Sequence, residues 1–214
     1  NVQRLPARIF NGSVIGGAQT GIDALSTVNQ PVGEGLIGLH LADLDVSHNG
    51  SYGIYAAVEG VQMRNVTLQR NAMNSAEFRD PEAIVVGLNT SHSDDLGLIA
   101  SSGLVAENIV SSYNYSAGIA VGEGAIRMAD SSSNNGTGFS GRLVAGNVAA
   151  SNNGARGLII PLLAHEVVAN DNAIVALDAA FGAGCYARVY VRTTSVTTPQ
   201  VSGDPLNGTI TSCP

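Results

Sequence analysis

At 214 residues, 44% of them apolar and 13% charged, the chain is long enough for one domain with a buried core and too apolar to stay disordered. Its 26 Gly and 18 Asn, with no Trp and no Lys, leave few strong helix formers and a core of small aliphatic side chains, which argues against a helical bundle. Ten Arg against 17 Asp and Glu give a formal charge of −7, so nucleic acid is excluded as a main partner, and no apolar run is long enough for membrane insertion.

Residues 1–35 read as irregular first rungs or an N-terminal cap, with Gly21-Ile22 and Gly35-Leu36 as faint versions of a Gly-apolar pair that recurs down the chain. From residue 36 one pattern returns. Leu44-Asp45-Val46-Ser47-His48-Asn49 is followed by Gly53-Ile54, Ile109-Val110-Ser111-Ser112-Tyr113-Asn114 by Gly118-Ile119, and Val148-Ala149-Ala150-Ser151-Asn152-Asn153 by Gly157-Leu158. Anchored on that Asn, equivalent positions fall at Asn49, Asn71, Ser93, Asn114, Asn134, Asn153 and Asn172, in steps of 22, 22, 21, 20, 19 and 19 residues. Five residues before the anchor stand Leu44, Val66, Leu88 and Ile109, and three before it Val46 and Leu68. On a strand that spacing turns both columns inward. Five residues after the anchor, Ile54, Leu98, Ile119, Phe139 and Leu158 each follow a Gly, the mark of a second inward strand beyond a tight turn.

Asn at the anchor tolerates left-handed backbone, and amides stacked from one rung to the next can hydrogen-bond. Asn49, Asn71, Asn114, Asn134, Asn153 and Asn172 are therefore expected to form a structural ladder. Short β segments that return every ~20 residues describe a chain that stacks strand on strand, a solenoid. Seven rungs make a rod of roughly 35 Å that narrows as the rungs shorten. The coil is expected over residues 36–178, with a cap beyond it over 179–214. In the cap Tyr186-Ala187-Arg188-Val189-Tyr190-Val191-Arg192 alternates, and Pro199, Gly203, Asp204-Pro205 and Asn207-Gly208 mark turns. These read as antiparallel strands pinned by a disulfide between Cys185 and Cys213, which implies an oxidising compartment.

The Asn ladder and the Asn-x-x-x-Gly-Ile rungs make residues 36–178 resemble the right-handed parallel β-helix proteins of the pectate-lyase-like superfamily. The fold class so implied is all-β: a single-stranded right-handed parallel β-helix of about seven or eight rungs with a C-terminal antiparallel cap. A leucine-rich repeat is the rival, because Leu41 through Asn49 fits L-x-x-L-x-L-x-x-N. Two places after the anchor, however, stand Ser51, Met73, Asp95, Ser116, Gly136, Ala155 and Ile174, mostly unsuited to the apolar residue that repeat needs, and no rung offers a helical return.

On a solenoid, outward columns form ledges, and one column carries chemistry. Immediately before the anchor stand His48, Arg70, His92 and Tyr113, then Ser133, Asn152 and Asp171. The first four are residue types that grip sugars and carboxylates, and four rungs span ~14 Å, room for about three sugar units. They are read as a glycan-binding ledge; the bland alternative is a solvated face. Lyases of the resembling superfamily use an Arg or Lys base and calcium held on carboxylates. That implies Arg70 as catalytic base with His92 assisting, and Asp94 and Asp95 as candidate calcium ligands; neither reading calls for another cofactor. Asp94-Asp95 also resembles the acid pair of β-helical glycoside hydrolases, although Asn89-Thr90-Ser91 lacks the Asp of that pattern.

Loop length favours binding over turnover. The gap from each Gly-Ile column to the next rung's first inward residue falls smoothly from 12 residues to 9, whereas deep clefts on solenoids are walled by long loops. The leading expectation is a secreted or cell-surface, bacterial β-helix module that binds a polysaccharide or cell-surface glycan, or builds structure, without turnover. The alternatives are a polysaccharide lyase or glycoside hydrolase acting on acidic polysaccharide, and part of an adhesin or tailspike-like oligomer, to which the apolar run Leu158-Ile159-Ile160-Pro161-Leu162-Leu163 points. The charged stretch Glu77-Phe78-Arg79-Asp80-Pro81-Glu82 reads as a solvated turn, and His40 and His165 as structural.

Overall fold

A computed structural model describes residues 6–25, 38–58, 60–79, 82–159, 163–178, 185–192 and 201–202. Among these residues there are strands and no helix: β1 (Ala7–Ile15), β2 (Ile22–Leu25), β3 (Leu39–Ser47), β4 (Ile54–Ala57), β5 (Val61–Gln69), β6 (Ala76–Phe78), β7 (Ala83–Ser91), β8 (Leu98–Ala100), β9 (Leu104–Ser112), β10 (Ile119–Asp130), β11 (Phe139–Ala149), β12 (Arg156–Ile159), β13 (Leu163–Asn170), β14 (Val175–Asp178), β15 (Cys185–Arg192) and β16 (Val201–Ser202). The long strands stack in parallel in the order β1, β3, β5, β7, β9, β10, β11, β13, β15. The short strands form a second parallel stack, β2, β4, β6, β8, the first residues of β10 and β11, then β12, β14 and β16.

Register is set by burial. Leu44, Val66, Leu88, Ile109, Ala129, Val148 and Val167 lie directly over one another, all buried. The column two residues on is buried as well, and so is the opposing column of Ile54, Ala76, Leu98, Ile119, Phe139 and Leu158. A one-residue slip of any strand would turn these side chains to water and set outward polar residues in the core, so the stack has one favoured register.

Two columns of left-handed residues give the coil its corners. Each long strand bends near its middle at Asp43, Asn65, Gly87, Asn108, Met128, Asn147 or Glu166, and leaves for the short strand at His48, Arg70, His92, Tyr113, Ser133, Asn152 or Asp171, all with φ between 51° and 70°. A coil therefore has three sides: two halves of a long strand and one short strand. The left-handed residue is the one before the ladder Asn, not the Asn itself, which corrects the expectation. Turning the backbone at that point directs the next side chain inward, and each Asn amide reaches the neighbouring rung.

The inward Asn side chains hydrogen-bond along the axis. Asn49 Nδ2 donates to Asn71 Oδ1 (3.0 Å), Asn114 to Asn134 (3.0 Å), Asn134 to Asn153 (3.2 Å) and Asn153 to Asn172 (3.0 Å). The backbone N–H of each donor Asn bonds the same oxygen at 3.0–3.2 Å. Beside the ladder runs a strip of buried hydroxyls: Thr90 Oγ1 donates to Ser111 Oγ (2.7 Å), Ser111 Oγ to the Gly118 carbonyl (2.8 Å) and Ser131 Oγ to that of Gly138 (2.6 Å). Gly is required opposite this strip. A Cβ on Gly138 would stand 2.7 Å from the carbonyl oxygens of Gly157 and Ser131 and 2.8 Å from Asn153 Nδ2. Ser75 occupies the same column one rung above Gly97, and its buried hydroxyl has no hydrogen-bond partner.

At the N-terminal end β1 and β2 already pair in parallel register with β3 and β4, as first rungs would. One element differs from expectation. The alternating run ending at Arg192 is no antiparallel cap: β15 pairs parallel to β13, and β16 to β14. Period-two alternation is common to hairpins and to one more solenoid rung, so only the partner distinguishes them. The Cys185–Cys213 pairing lies outside the described residues.

Candidate functional site

The left-handed corner at the end of each long strand carries the column singled out by sequence, and its side chains point to solvent. Arg70 Nη1 donates to His48 Nε2 across one rung at 3.4 Å. One rung further on, the His92 and Tyr113 rings stack with centroids 5.2 Å apart and planes 20° from parallel. Tyr113 is 60% exposed and Tyr115, beside it on the same turn, 70%. The four residues thus form an edge of two cations or imidazoles followed by an aromatic platform, bordered by Asp94, Tyr115 and Asn135 along an open groove.

The residue types at this corner are informative when set against the other corner. At the mid-strand bend, Asp43, Asn65, Gly87, Asn108 and Asn147 dominate, the types for which left-handed backbone costs least. Asn65 there also donates to Asp43 across the rung at 2.9 Å. At the ladder corner the same backbone is held by His48 (φ 59°), Arg70 (52°), His92 (56°) and Tyr113 (57°), side chains that disfavour it by about 1–2 kcal/mol each. Four successive rungs bear that cost where Asn or Gly would relieve it.

Of the catalytic and metal candidates, His92 and Asp94 line the same open groove. Arg70 is joined to His48 and His92 to Tyr113; no hydrogen bond or ion pair links Arg70, His92, Asp94 and Asp95 to one another. Asp94 and Asp95 are exposed, and among the described residues no three His, Cys, Asp or Glu side chains gather as a metal cage requires.

A second cluster lies round the corner on the short-strand side, and sequence reasoning missed it. Glu77, on β6 directly below Tyr55 of β4, is 5% exposed. Its carboxylate accepts from Asn74 Nδ2 at 2.8 Å and from Arg79 Nε at 2.6 Å. The Arg79 guanidinium lies 5.5 Å from the Tyr55 ring centroid, and Tyr55 packs against Tyr52 at 5.2 Å. Glu77 and Phe78 are therefore not part of a solvated turn, while Asp80 and Pro81 lie outside the described residues: the Glu77 carboxylate, on the outer side of the strand, is roofed by Arg79, Asn74 and the tyrosines. Burial, then the Glu77 charge, pushes the Tyr52 phenol above its ordinary value, while Glu77 reinforces the charge on Arg79. The usable signal was the coincidence, one rung apart, of Tyr52 and Tyr55 with Glu77 and Arg79.

No family model matches the sequence and no curated protein matches it. Two solved structures do match its fold. The Azotobacter vinelandii mannuronan C-5 epimerase AlgE4 A-module superposes with a TM-score of 0.66 at 11% identity, over 78% of this chain and 59% of the module, so the chain spans less than two thirds of that length. Pectate lyase Pel9A superposes with a TM-score of 0.62 at 12% identity, over 94% of this chain and 70% of the lyase. Together with the parallel stacks, the buried Asn column and the lack of helical returns among the described residues, these likenesses identify the fold: the chain is a right-handed parallel β-helix of the pectate-lyase-like type.

Proposed function

We propose that this β-helix binds a polysaccharide or cell-surface glycan along the corner formed by His48, Arg70, His92 and Tyr113, without turning it over. The observation that supports the reading is the retention of bulky, polar or aromatic side chains in left-handed backbone over four consecutive rungs, because strain kept where it is easily relieved points to a role for the side chain. Tyr113 and Tyr115 offer exposed faces for sugar rings, and Arg70 and His48 offer donors for hydroxyl or carboxylate groups. The two structural neighbours are named for action on mannuronan and on pectate, which agrees with an extended glycan as ligand. With such a ligand the reading includes a protein that is secreted or at the cell surface.

The test is a pair of substitutions, His92→Asn and Tyr113→Asn, read by affinity for soluble polygalacturonate, alginate and a neutral glycan. Asn suits left-handed backbone, so each variant should gain about 0.5–1 kcal/mol of stability and lose affinity for the glycan bound by the parent chain. Unchanged affinity in both variants overturns the reading.

A polysaccharide lyase is the second reading, favoured by one observation: the roofed Glu77 carboxylate beside Arg79 and Tyr52. It requires release of unsaturated, ultraviolet-absorbing product that disappears in Tyr52→Phe. No product from any uronate polymer, with or without calcium, ends it.

A further inference from the structure

The first half of the long strands presents an outer face unlike the rest of the surface. One outward column is apolar over four rungs: Ile84, Val105, Ala125 and Val144, in direct register. Ile84, Val105 and Val144 are 49%, 56% and 42% exposed. The next outward column reads Val86, Glu107, Arg127 and Gly146, with Arg127 Nη2 donating to Glu107 Oε2 at 2.7 Å. A shallow groove of about 440 Å³ lies over these strands.

The two halves of this face are complementary. On β7 and β9 the outward residues are large (Ile84, Val86, Val105) and one is acidic (Glu107); on β10 and β11 they are smaller (Ala125, Gly146, Val144) and one is basic (Arg127). We propose that the face docks a second copy of this chain, antiparallel, about a two-fold axis passing between β9 and β10. That operation sets Val105 against the partner's Ala125, Ile84 against the partner's Val144, and Val86 against the partner's Gly146. It also sets Glu107 against the partner's Arg127 and Arg127 against the partner's Glu107, so two ion pairs become one ring of four alternating charges. A parallel arrangement about an axis along the coil between the two columns would set Val105 against the partner's Glu107 and Ala125 against the partner's Arg127, burying charges against apolar side chains. At the rim the antiparallel operation brings Arg64 toward the partner's His165; both are exposed, and Arg64 keeps its own Asp43 at 3.5 Å.

Isologous contacts require such self-complementarity, and an apolar stripe bordered by charges is its usual composition. Four rungs of two outward columns are smaller than a standard interface, so the dimer is expected to be a weak, concentration-dependent one. The proposal is independent of the glycan reading, since the ladder corner lies beyond the second half of the long strands and stays open in the dimer.

The test is sedimentation velocity of the full chain across a concentration series, with folding of every variant checked by circular dichroism. The parent chain should pass from monomer to dimer with rising concentration. Val105→Asp, at an exposed site, should abolish the dimer. Glu107→Arg should weaken it by about tenfold or more, and the double swap Glu107→Arg with Arg127→Glu should restore it, because the facing charges are again opposite. A parent chain that stays monomeric throughout, a dimer that survives Val105→Asp, or a double swap no better than the single one overturns the proposal.

Discussion

Replacing Asn134 by Ala removes the best-connected rung of the ladder. Its Oδ1 accepts from the Asn114 backbone N–H at 3.1 Å and from Asn114 Nδ2 at 3.0 Å, while its Nδ2 donates to the Ser111 carbonyl at 3.0 Å and to Asn153 Oδ1 at 3.2 Å. Truncation orphans the buried Asn114 backbone N–H and removes one of the two bonds of Asn114 Nδ2, which keeps Ser111 Oγ at 3.1 Å; at about 1–3 kcal/mol for the orphaned group and less for the half-satisfied amide the loss is about 2–4 kcal/mol, the lower end applying if a water enters the space. Asn135, its exposed neighbour, is the control, with Asn135→Ala expected within about 0.5 kcal/mol of the parent. Urea unfolding followed by circular dichroism reads both, with equal m-values as the condition for comparing midpoints. An Asn134→Ala loss below about 1 kcal/mol, or no larger than that of Asn135→Ala, would refute the claim that the ladder holds the coils together.

Three further outcomes rest on the same geometry. Ser75→Gly removes a buried hydroxyl without a partner and should raise the urea midpoint by the equivalent of about 0.5–1 kcal/mol, since relief of about 1–2 outweighs the added backbone entropy; an unchanged or lower midpoint contradicts this. Gly138→Ala forces a Cβ to within 2.8 Å of three neighbouring polar atoms and should cost at least about 2 kcal/mol, whereas full stability would mean that the rungs separate easily at this point. The fold favours the protonated Tyr52 phenol, whose value lies above 10.0; the stability linked to it is complete below the unfolded value and is lost as pH rises through the folded one. Spectrophotometric titration should show that tyrosine ionising late, and earlier in Glu77→Gln; a Tyr52 signal at or below the ordinary value refutes the assignment.

Much of the coil was legible because a stacked solenoid repeats its constraints. Leu44, Val66 and Leu88 are apolar for one reason, burial in one column, and their 22-residue steps reveal it. The C-terminal rung was not legible in the same way: β15 alternates as a hairpin strand does, and only its pairing with β13 shows otherwise. Sequence alone sets the left-handed backbone one residue late because Asn serves both purposes, tolerating that conformation at Asn65 and filling the interior at Asn71. The column of His48, Arg70, His92 and Tyr113 could be read as a ledge from spacing alone, but its backbone strain could not. Glu77 escapes a reading by sequence because a charge beside Phe78 and Arg79 looks solvent-facing until Asn74 and the rung above are folded over it.

Ser93 interrupts the line of amides. Its hydroxyl lies 2.7 Å from Asn114 Oδ1 and so completes the lower run, but it has no carboxamide oxygen to receive Asn71, whose own Nδ2 turns back to the Val46 carbonyl at 3.2 Å. The rod is thus fastened by two zips rather than one, a short one through Asn49 and Asn71 and a long one from Ser93 to Asn172. The break between them falls between Arg70 and His92, in the middle of the exposed corner column, where the rungs are joined by the β5–β7 ladder and by the Leu96 backbone N–H donating to Asn74 Oδ1 at 3.1 Å instead of by stacked amides.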